Sequence, residues 1–414
     1  MNYVLNYSKD SLSLTVDLPA SKSISNRMLI IRALTENNFE IKNISDSDDT
    51  NVMLKAFAED KEIVDIHHAG TSMRFLTAYF AATGQKKTIT GSDRMKNRPI
   101  KELVNALNQL GANVTYAEKE GYPPVITSGK ALTGDRITIN GSISSQYITA
   151  LLLVAPVLPN GLNVEIVGKL MSSSYVALTL GLMKQFGVNA SWEGNVIRVP
   201  HQKYLGNEAF VEGDWSGASY WYEMVALSKE ADITINGLTG NSLQGDSALA
   251  NIYEGLGVKT SYKSNAVRLT KCAVIAKKLE YDFIDNPDSV QTAVVTSCLL
   301  GIPFTITGAE TLRIKETDRI AALQIEMKKL GFIIEEPRPG TLSWEGQTCE
   351  PQKQIAIDTY KDHRMALAFA PAAMRFKNLT INDAMVVTKS YPKYWEHLEM
   401  AGFEIDERDG AKTL

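Results

Sequence analysis

The run Ser21-Lys22-Ser23-Ile24-Ser25-Asn26-Arg27 places two cations and several hydroxyls where an apolar helical pattern begins. A helix start presents free N–H groups and a partial positive charge, so it favours phosphate or carboxylate. Cations there oppose the helix dipole, and an anionic ligand between them would remove the conflict. Gly70-Thr71-Ser72-Met73-Arg74 and Asp362-His363-Arg364 repeat the theme with one cation each. Arg94-Met95-Lys96-Asn97-Arg98-Pro99 is a basic stretch before a helical pattern, readable equally as a solvated turn. Arg313-Ile314-Lys315-Glu316-Thr317-Asp318-Arg319 mixes cations and carboxylates. It reads as a surface salt-bridge face, or as an acid–base pair at Lys315 and Glu316. Asp288 stands at another helix start, as a cap or a general base.

The elements that carry these residues recur. Gly111, Gly187, Gly257, Gly331 and Gly402 lie 70 to 76 residues apart, each where a helical pattern passes into a strand-like one. Such a position asks for φ > 0. Some 40 to 43 residues before each glycine, a polar cluster leads into an apolar helix, at Gly70, Ser144, Asp214, Asp288 and Asp362. Ser21 opens a sixth, shorter unit, in which the helical Asp49 to Phe57 passes almost directly to His67-His68-Ala69-Gly70. The terminal glycine and strand pair are missing there. Six units of two helices and several strands follow, three to a domain.

Bulk properties limit the function. A chain of 414 residues exceeds one ordinary core. The net charge of −4 argues against a nucleic-acid partner. Cys272, Cys298 and Cys349 are scattered, which fits a reducing cytoplasm. The N-terminus has no secretory pattern, and the longest apolar run, near Ile148 to Leu158, is too short for a membrane span. His67 and His68 lack a second ligand motif, so no metal site is expected, and there is no ATP-type P-loop.

In order along nearly the whole chain, seven motifs resemble the 5-enolpyruvylshikimate-3-phosphate synthase family of enolpyruvyltransferases. They are Leu18 to Arg27, Ala69 to Arg74, Arg94 to Pro99, Gly141 to Gln146, Val211-Glu212-Gly213-Asp214, Lys315 to Arg319, and Asp362 to Met365. The resemblance implies an α/β fold, a two-domain inside-out α/β barrel of three βαβαββ-type repeats per domain, the first truncated here. Residues 1–20 with 232–414 would form the lower, C-terminal domain and 21–231 the upper, N-terminal one, with crossings near Ala20 and Ala231. The active site would lie in the interdomain cleft, closing on substrate.

The implied reaction moves the enolpyruvyl group of phosphoenolpyruvate to the 5-hydroxyl of shikimate 3-phosphate and releases phosphate, on the shikimate pathway to chorismate and aromatic amino acids. It implies no metal or organic cofactor, no nucleic acid or membrane partner, and a monomer in the cytoplasm. Carried over by position, Lys22, Ser23, Arg27, Ser144, Ser145, Gln146, Ser172, Tyr175, Asp288 and Lys315 would meet shikimate 3-phosphate. Lys22, Gly70, Arg94, Gln146, Arg319, Arg364 and Lys389 would meet phosphoenolpyruvate. Asp288 matches the acceptor of the 5-hydroxyl proton and Glu316 the acid–base residue at the methylene carbon. Lys22 serves both substrates, Lys315 sits between the reacting groups, and His363 supports Glu316 or the leaving phosphate. His68 and Phe75 depart from the family's usual Asn and Pro around the phosphoenolpyruvate helix. Thr311 replaces a common Asn and is left out of the site.

Two other readings compete. The sister enzyme that uses UDP-N-acetylglucosamine shares fold and donor, but its usual loop cysteine is absent between Arg94 and Arg98, and Ser23 stands where it usually has Asn. A non-catalytic repeat scaffold explains the repeats but not Asp288, Lys315 and Glu316 among so many cations.

Overall fold

The computed structural model describes residues 1–408. The chain forms two compact units: an inserted unit, Ala20–Val211, and a split unit made of Met1–Pro19 with the chain from Glu212 onward. The second crossing therefore falls at Val211–Glu212, not near Ala231. The reason is the helix Trp215–Leu227. All of its residues are buried, and it packs in one core with Leu12, Val16, Ile233 and Val290. The Asp214 N–H also donates to the Pro19 carbonyl at 2.9 Å, tying the two crossing segments together.

The inserted unit carries helices α1 (Lys22–Ala33), α2 (Asp48–Ala58), α3 (Gly70–Ala82), α4 (Lys101–Gln109), α5 (Ser145–Val154) and α6 (Ser173–Gln185). The split unit carries α7 (Trp215–Leu227), α8 (Leu249–Glu254), α9 (Val290–Leu300), α10 (Arg319–Lys329), α11 (His363–Phe369) and α12 (Tyr394–Ala401). Odd-numbered helices begin at the six polar clusters. They are covered nearly all round, and α7 and α11 have no exposed residue, as expected for helices enclosed by others. Even-numbered helices have one covered face; α4 buries Leu103, Val104, Ala106 and Leu107. The five recurring glycines follow the even helices with φ between 82° and 101°, so the chain turns into a strand without a Cβ penalty.

Each complete repeat makes a four-stranded sheet with one pattern. Arg136–Asn140 runs parallel to Leu162–Val167, and the hairpin Ser191–Glu193 and Val196–Val199 is added antiparallel. Two sheets exchange strands. Ser11–Asp17 precedes α1 but pairs with Glu230–Asn236 after α7, whereas Ala209–Phe210 precedes α7 but pairs with Ile41–Lys42 after α1. The N-terminal strand Asn2–Tyr7 completes the last sheet between Leu379–Ile381 and Phe403–Arg408. The truncated first repeat is left with a sheet of two strands. Among the described residues no helix is long and apolar enough to cross a membrane.

One core feature sets a pH dependence. Glu223 of α7 is fully buried, and neither carboxyl oxygen has a hydrogen-bond partner among the described residues. Burial pushes its carboxyl well above the usual carboxylate range, so the folded protein holds it protonated where the unfolded chain has lost the proton. Its contribution is complete below the unfolded value of about 4.3 and is lost as pH rises toward the folded one, by up to about 1.4 kcal/mol per pH unit. Glu223→Gln keeps the shape and cannot ionise. Its melting temperature should match the wild type near pH 4 and exceed it by several degrees at pH 8, and equal melting temperatures at pH 8 would contradict the assignment.

Candidate functional site

In the inserted unit, the starts of α1, α3 and α5 gather most of the expected anion-binding residues. Ser21 caps α1, its hydroxyl accepting from the Ile24 N–H. Lys22 follows, with Nζ 3.6 Å from the buried carboxylate of Asp49 on α2. Each nitrogen of the Arg27 guanidinium has a partner: Nε donates to Thr179 Oγ1 at 2.8 Å, Nη1 to the Ser23 carbonyl at 2.7 Å and Nη2 to the Tyr175 carbonyl at 3.3 Å. Its Cζ lies 5.5 Å from the Phe75 ring centroid and 5.9 Å from that of Tyr175, within cation–π range. Burial draws its pKa down to about 10, which still leaves it charged at neutral pH.

Ser144 caps α5 by accepting from the Gln146 N–H at 3.3 Å. Ser145 is buried beside it. The Gln146 amide donates to Thr71 Oγ1 at 3.4 Å and so joins α5 to the first turn of α3. Gly70 opens α3, and the Arg98 guanidinium lies over it so closely that a methyl group there would overlap Nη1. Arg74 turns away from the helix start, Nη1 donating to the Gly70 carbonyl at 3.0 Å and Nη2 to that of Pro99 at 2.8 Å. Arg94 stands exposed beside the turn Met95–Asn97. Ser172 is buried in the left-handed region, at φ 58° and ψ 50°, immediately before α6 and three residues from Tyr175. A buried non-glycine residue in that conformation costs about 1 kcal/mol or more and is over-represented at functional sites.

In the split unit the charges interlock. Arg319, at the first position of α10, is almost wholly buried. Its Nε donates to Asp362 Oδ2 at 2.7 Å, Nη2 to Glu316 Oε2 at 2.8 Å and Nη1 to Asp288 Oδ1 at 3.0 Å. Burial works against its charge, but Asp362, Glu316 and Asp288 outweigh burial and hold it above its ordinary value. The Arg364 Nη2 donates to the other oxygen of Asp288 at 2.8 Å, and Nη1 meets the Tyr220 hydroxyl at 3.4 Å. Asp362 caps α11 through the Arg364 N–H. His363 is buried, with Nδ1 3.7 Å from Asp362. Enclosure lowers the pKa of Lys315, while Asp288 and Glu316 pull it up and Arg319 and Arg364 push it further down. The Lys389 Nζ donates at 2.7 Å to the carbonyl of Lys361, itself in a left-handed turn leading into Asp362.

The mixed run at Arg313 to Arg319 therefore divides. Arg313 forms the surface face, with Asp318 at 2.6 Å and with Glu336, whereas Arg319 is buried and half-buried Lys315 and Glu316 belong with it to the interlocked set. Asp288 has few cations near it in sequence, but the fold brings Arg319, Arg364 and Lys315 to it. The conflict of cations with helix dipoles is met in part by the protein: Asp49 faces Lys22, and Asp288 faces Arg364. Reasoning from the sequence missed Asp49, Arg98 and Thr179 as partners. Arg98 stood inside the basic stretch and Asp49 at a helix start, but mid-helix Thr179 gave no signal.

Two sets of cations and carboxylates, mounted at helix starts in a six-repeat α/β fold, define an enzyme for anionic small molecules. The model of the family described as EPSP synthase (3-phosphoshikimate 1-carboxyvinyltransferase) matches residues 7–61 and 55–398. A Bacteroides fragilis protein named 3-phosphoshikimate 1-carboxyvinyltransferase is 50% identical over 406 residues, covering 98% of this chain and 99% of its own. One of the same name from a Sulfurovum species is 37% identical, with coverage of 93% and 95%. The structure of EPSP synthase from Acinetobacter baumannii superimposes with a TM-score of 0.77 at 20% identity, over 98% of this chain and 100% of that one, and so shares the fold. The chain belongs to the EPSP synthase family.

Arg319 serves as the test of the buried set. Lysine cannot supply the forked donors that reach three carboxylates, so Arg319→Lys leaves Asp362 buried with its charge poorly met. The variant should lose about 3 kcal/mol in urea unfolding. A loss below about 1 kcal/mol would show that the network does not hold this region.

Proposed function

We propose that this chain is a 3-phosphoshikimate 1-carboxyvinyltransferase, transferring the enolpyruvyl group of phosphoenolpyruvate to the 5-hydroxyl of shikimate 3-phosphate with release of phosphate. Family membership supports the shikimate acceptor over UDP-N-acetylglucosamine. The observation that carries the chemistry is the Asp288 carboxylate held between Arg319 and Arg364, with Glu316 on the same Arg319.

The reaction asks for three things. The acceptor hydroxyl must lose a proton, the methylene carbon must gain one and return it, and several anionic groups must be held together. Asp288 is the proton acceptor for the hydroxyl. Two guanidiniums make a carboxylate a weak base. A donor anion that accepts hydrogen bonds from Arg319 and Arg364 loosens their hold on Asp288 and raises its basicity as the substrates assemble. The same exchange releases Glu316 to carry the proton at the methylene carbon. Lys315, with Asp288 and Glu316 as its opposite charges, stabilises negative charge developing between them. His363 and Lys389, beside the Asp362 turn, support the leaving phosphate.

The inserted unit binds. Lys22, Ser23, Arg27, Ser144, Ser145, Gln146, Ser172 and Tyr175 take shikimate 3-phosphate. Lys22, Gly70, Arg94 and Gln146 join Arg319, Arg364 and Lys389 on phosphoenolpyruvate. The reading takes the protein as a monomer, and three free cysteines fit a reducing cytoplasm. Light scattering should give the mass of one chain, and a stable dimer would contradict that part.

Phosphate release from phosphoenolpyruvate should require shikimate 3-phosphate and should not occur with UDP-N-acetylglucosamine. Turnover with the second acceptor only, or with neither, would overturn the reading. Glu316→Gln should lower kcat by at least tenfold with smaller changes in KM, and unchanged turnover would remove it from the chemistry.

A further inference from the structure

The loop after Glu230–Asn236 holds a buried acid that the mechanism above does not use. Asp246 is 6% exposed. Its Oδ2 accepts from the Ser216 hydroxyl, on the first turn of α7, and its Oδ1 from the Ser289 hydroxyl at 2.9 Å. Ser289 is the neighbour of Asp288 in the short turn Pro287–Ser289 that launches α9. The preceding residue, Gly245, accepts at its carbonyl from the Asn286 amide at 2.6 Å, and Asn286 in turn accepts the Tyr281 hydroxyl at 3.2 Å. The Gly245–Asp246 pair thus grips the Asp288 turn on both sides, at Asn286 and at Ser289, and fastens it to α7.

Resting on the reading of Asp288 as the base, we propose that Asp246 is a positioning residue for the reaction: it fixes the Asp288 turn, and its negative charge raises the basicity of Asp288. Both oxygens already accept hydroxyl hydrogen bonds, an arrangement that suits the ionised form. The charged and titratable groups around it are Asp288, Arg364 and Tyr281. Burial and then the Asp288 charge push the Asp246 carboxyl above its usual value, and Ser216, Arg364 and Ser289 draw it back. The coupling is mutual: a carboxylate that makes its neighbour harder to ionise is made harder to ionise by it. That is the direction a base needs when two guanidiniums depress it. Asp246 has no place among the substrate contacts, so its effect belongs in kcat and in the pH profile rather than in KM.

The test compares Asp246→Asn, Ser289→Ala and Asp288→Asn with the wild type, using phosphoenolpyruvate and shikimate 3-phosphate. Asp246→Asn should lower kcat about tenfold, keep both KM values within about threefold, and move the acidic limb of the kcat profile to lower pH, because a nearby negative charge has gone. Ser289→Ala keeps the carboxylate and loosens the turn, so it should lower kcat severalfold with the limb in place. A folded Asp246→Asn with kcat within twofold of wild type and an unmoved limb would overturn the proposal. If Asp246→Asn does not fold, the double variant Ser216→Ala/Ser289→Ala decides: unchanged kcat overturns the proposal and a severalfold fall supports it. Wild-type turnover in the same assay tests the functional reading by itself. An acidic limb retained in Asp288→Asn would remove the base on which this inference rests, and the inference would fall with it.

Discussion

A buried guanidinium at a helix start is a costly thing to build, and the split unit is organised around meeting that cost. Arg319 is opposed both by burial and by the positive end of α10. It is stable there because its forked donors reach carboxylates from different parts of the chain: Glu316 just before its own helix, Asp288 before α9 and Asp362 before α11. Arg364 extends the set to Tyr220 on α7. The starts of α9, α10 and α11 are thus linked through charge, α11 is tied to α7 through the Tyr220 hydroxyl, and apolar packing holds the remainder of their lengths.

The two units engage their charged groups differently. In the split unit Lys315, Arg319 and Arg364 stand among the carboxylates of Asp288, Glu316 and Asp362, with Asp246 beside Asp288. In the inserted unit Lys22 lies near the carboxylate of Asp49, Arg27 and Arg74 donate to backbone carbonyls, and Arg27 also lies against the Phe75 ring. On the proposed function, the inserted unit binds substrate anions and the split unit holds groups poised to exchange partners and protons. Binding and proton transfer are separate demands, and a cluster in which cations and carboxylates share hydrogen bonds serves the second.

How much of this was legible in the sequence follows from what each feature depends on. The six helix starts and the five glycines could be read because caps and left-handed turns are set by a few adjacent residues, and Gly111, Gly187, Gly257, Gly331 and Gly402 all have positive φ. The strand exchange could not be read. Nothing in Ser11–Asp17 says that it pairs beyond an insertion of nearly two hundred residues, because parallel pairing is chosen by packing and not by local pattern. The second crossing was misplaced for a related reason: α7 resembles its sibling helices in composition, and only its burial with Leu12 and Val16 assigns it to the split unit. Within the site, residue types were visible but partners were not. Asp288 looked isolated because its cations arrive from 31 and 76 positions away.

The exchanged strands also explain why the run at Ser21 is so heavily charged in the shortest repeat. Ser11–Asp17 is pinned in a sheet of the split unit, and α1 begins at Lys22, two residues beyond the crossing at Ala20. Ala209–Phe210 does the converse: it is pinned to Ile41–Lys42 in the inserted unit, and α7 begins just past the crossing. Both helices thus start just past a paired strand, α1 capped by Ser21 and α7 with its Trp215 N–H donating to the Gln244 side chain. The first repeat lacks the hairpin that widens the sheet in its siblings, so its order comes from other contacts. Arg27 donates to Ser23, Thr179 and Tyr175 and lies against two rings, and Asp49 lies close to Lys22 from α2. Shortening the repeat removes sheet, but it leaves the Asp49 carboxylate that faces Lys22. For a residue assigned to both substrates, orientation is the property that must survive.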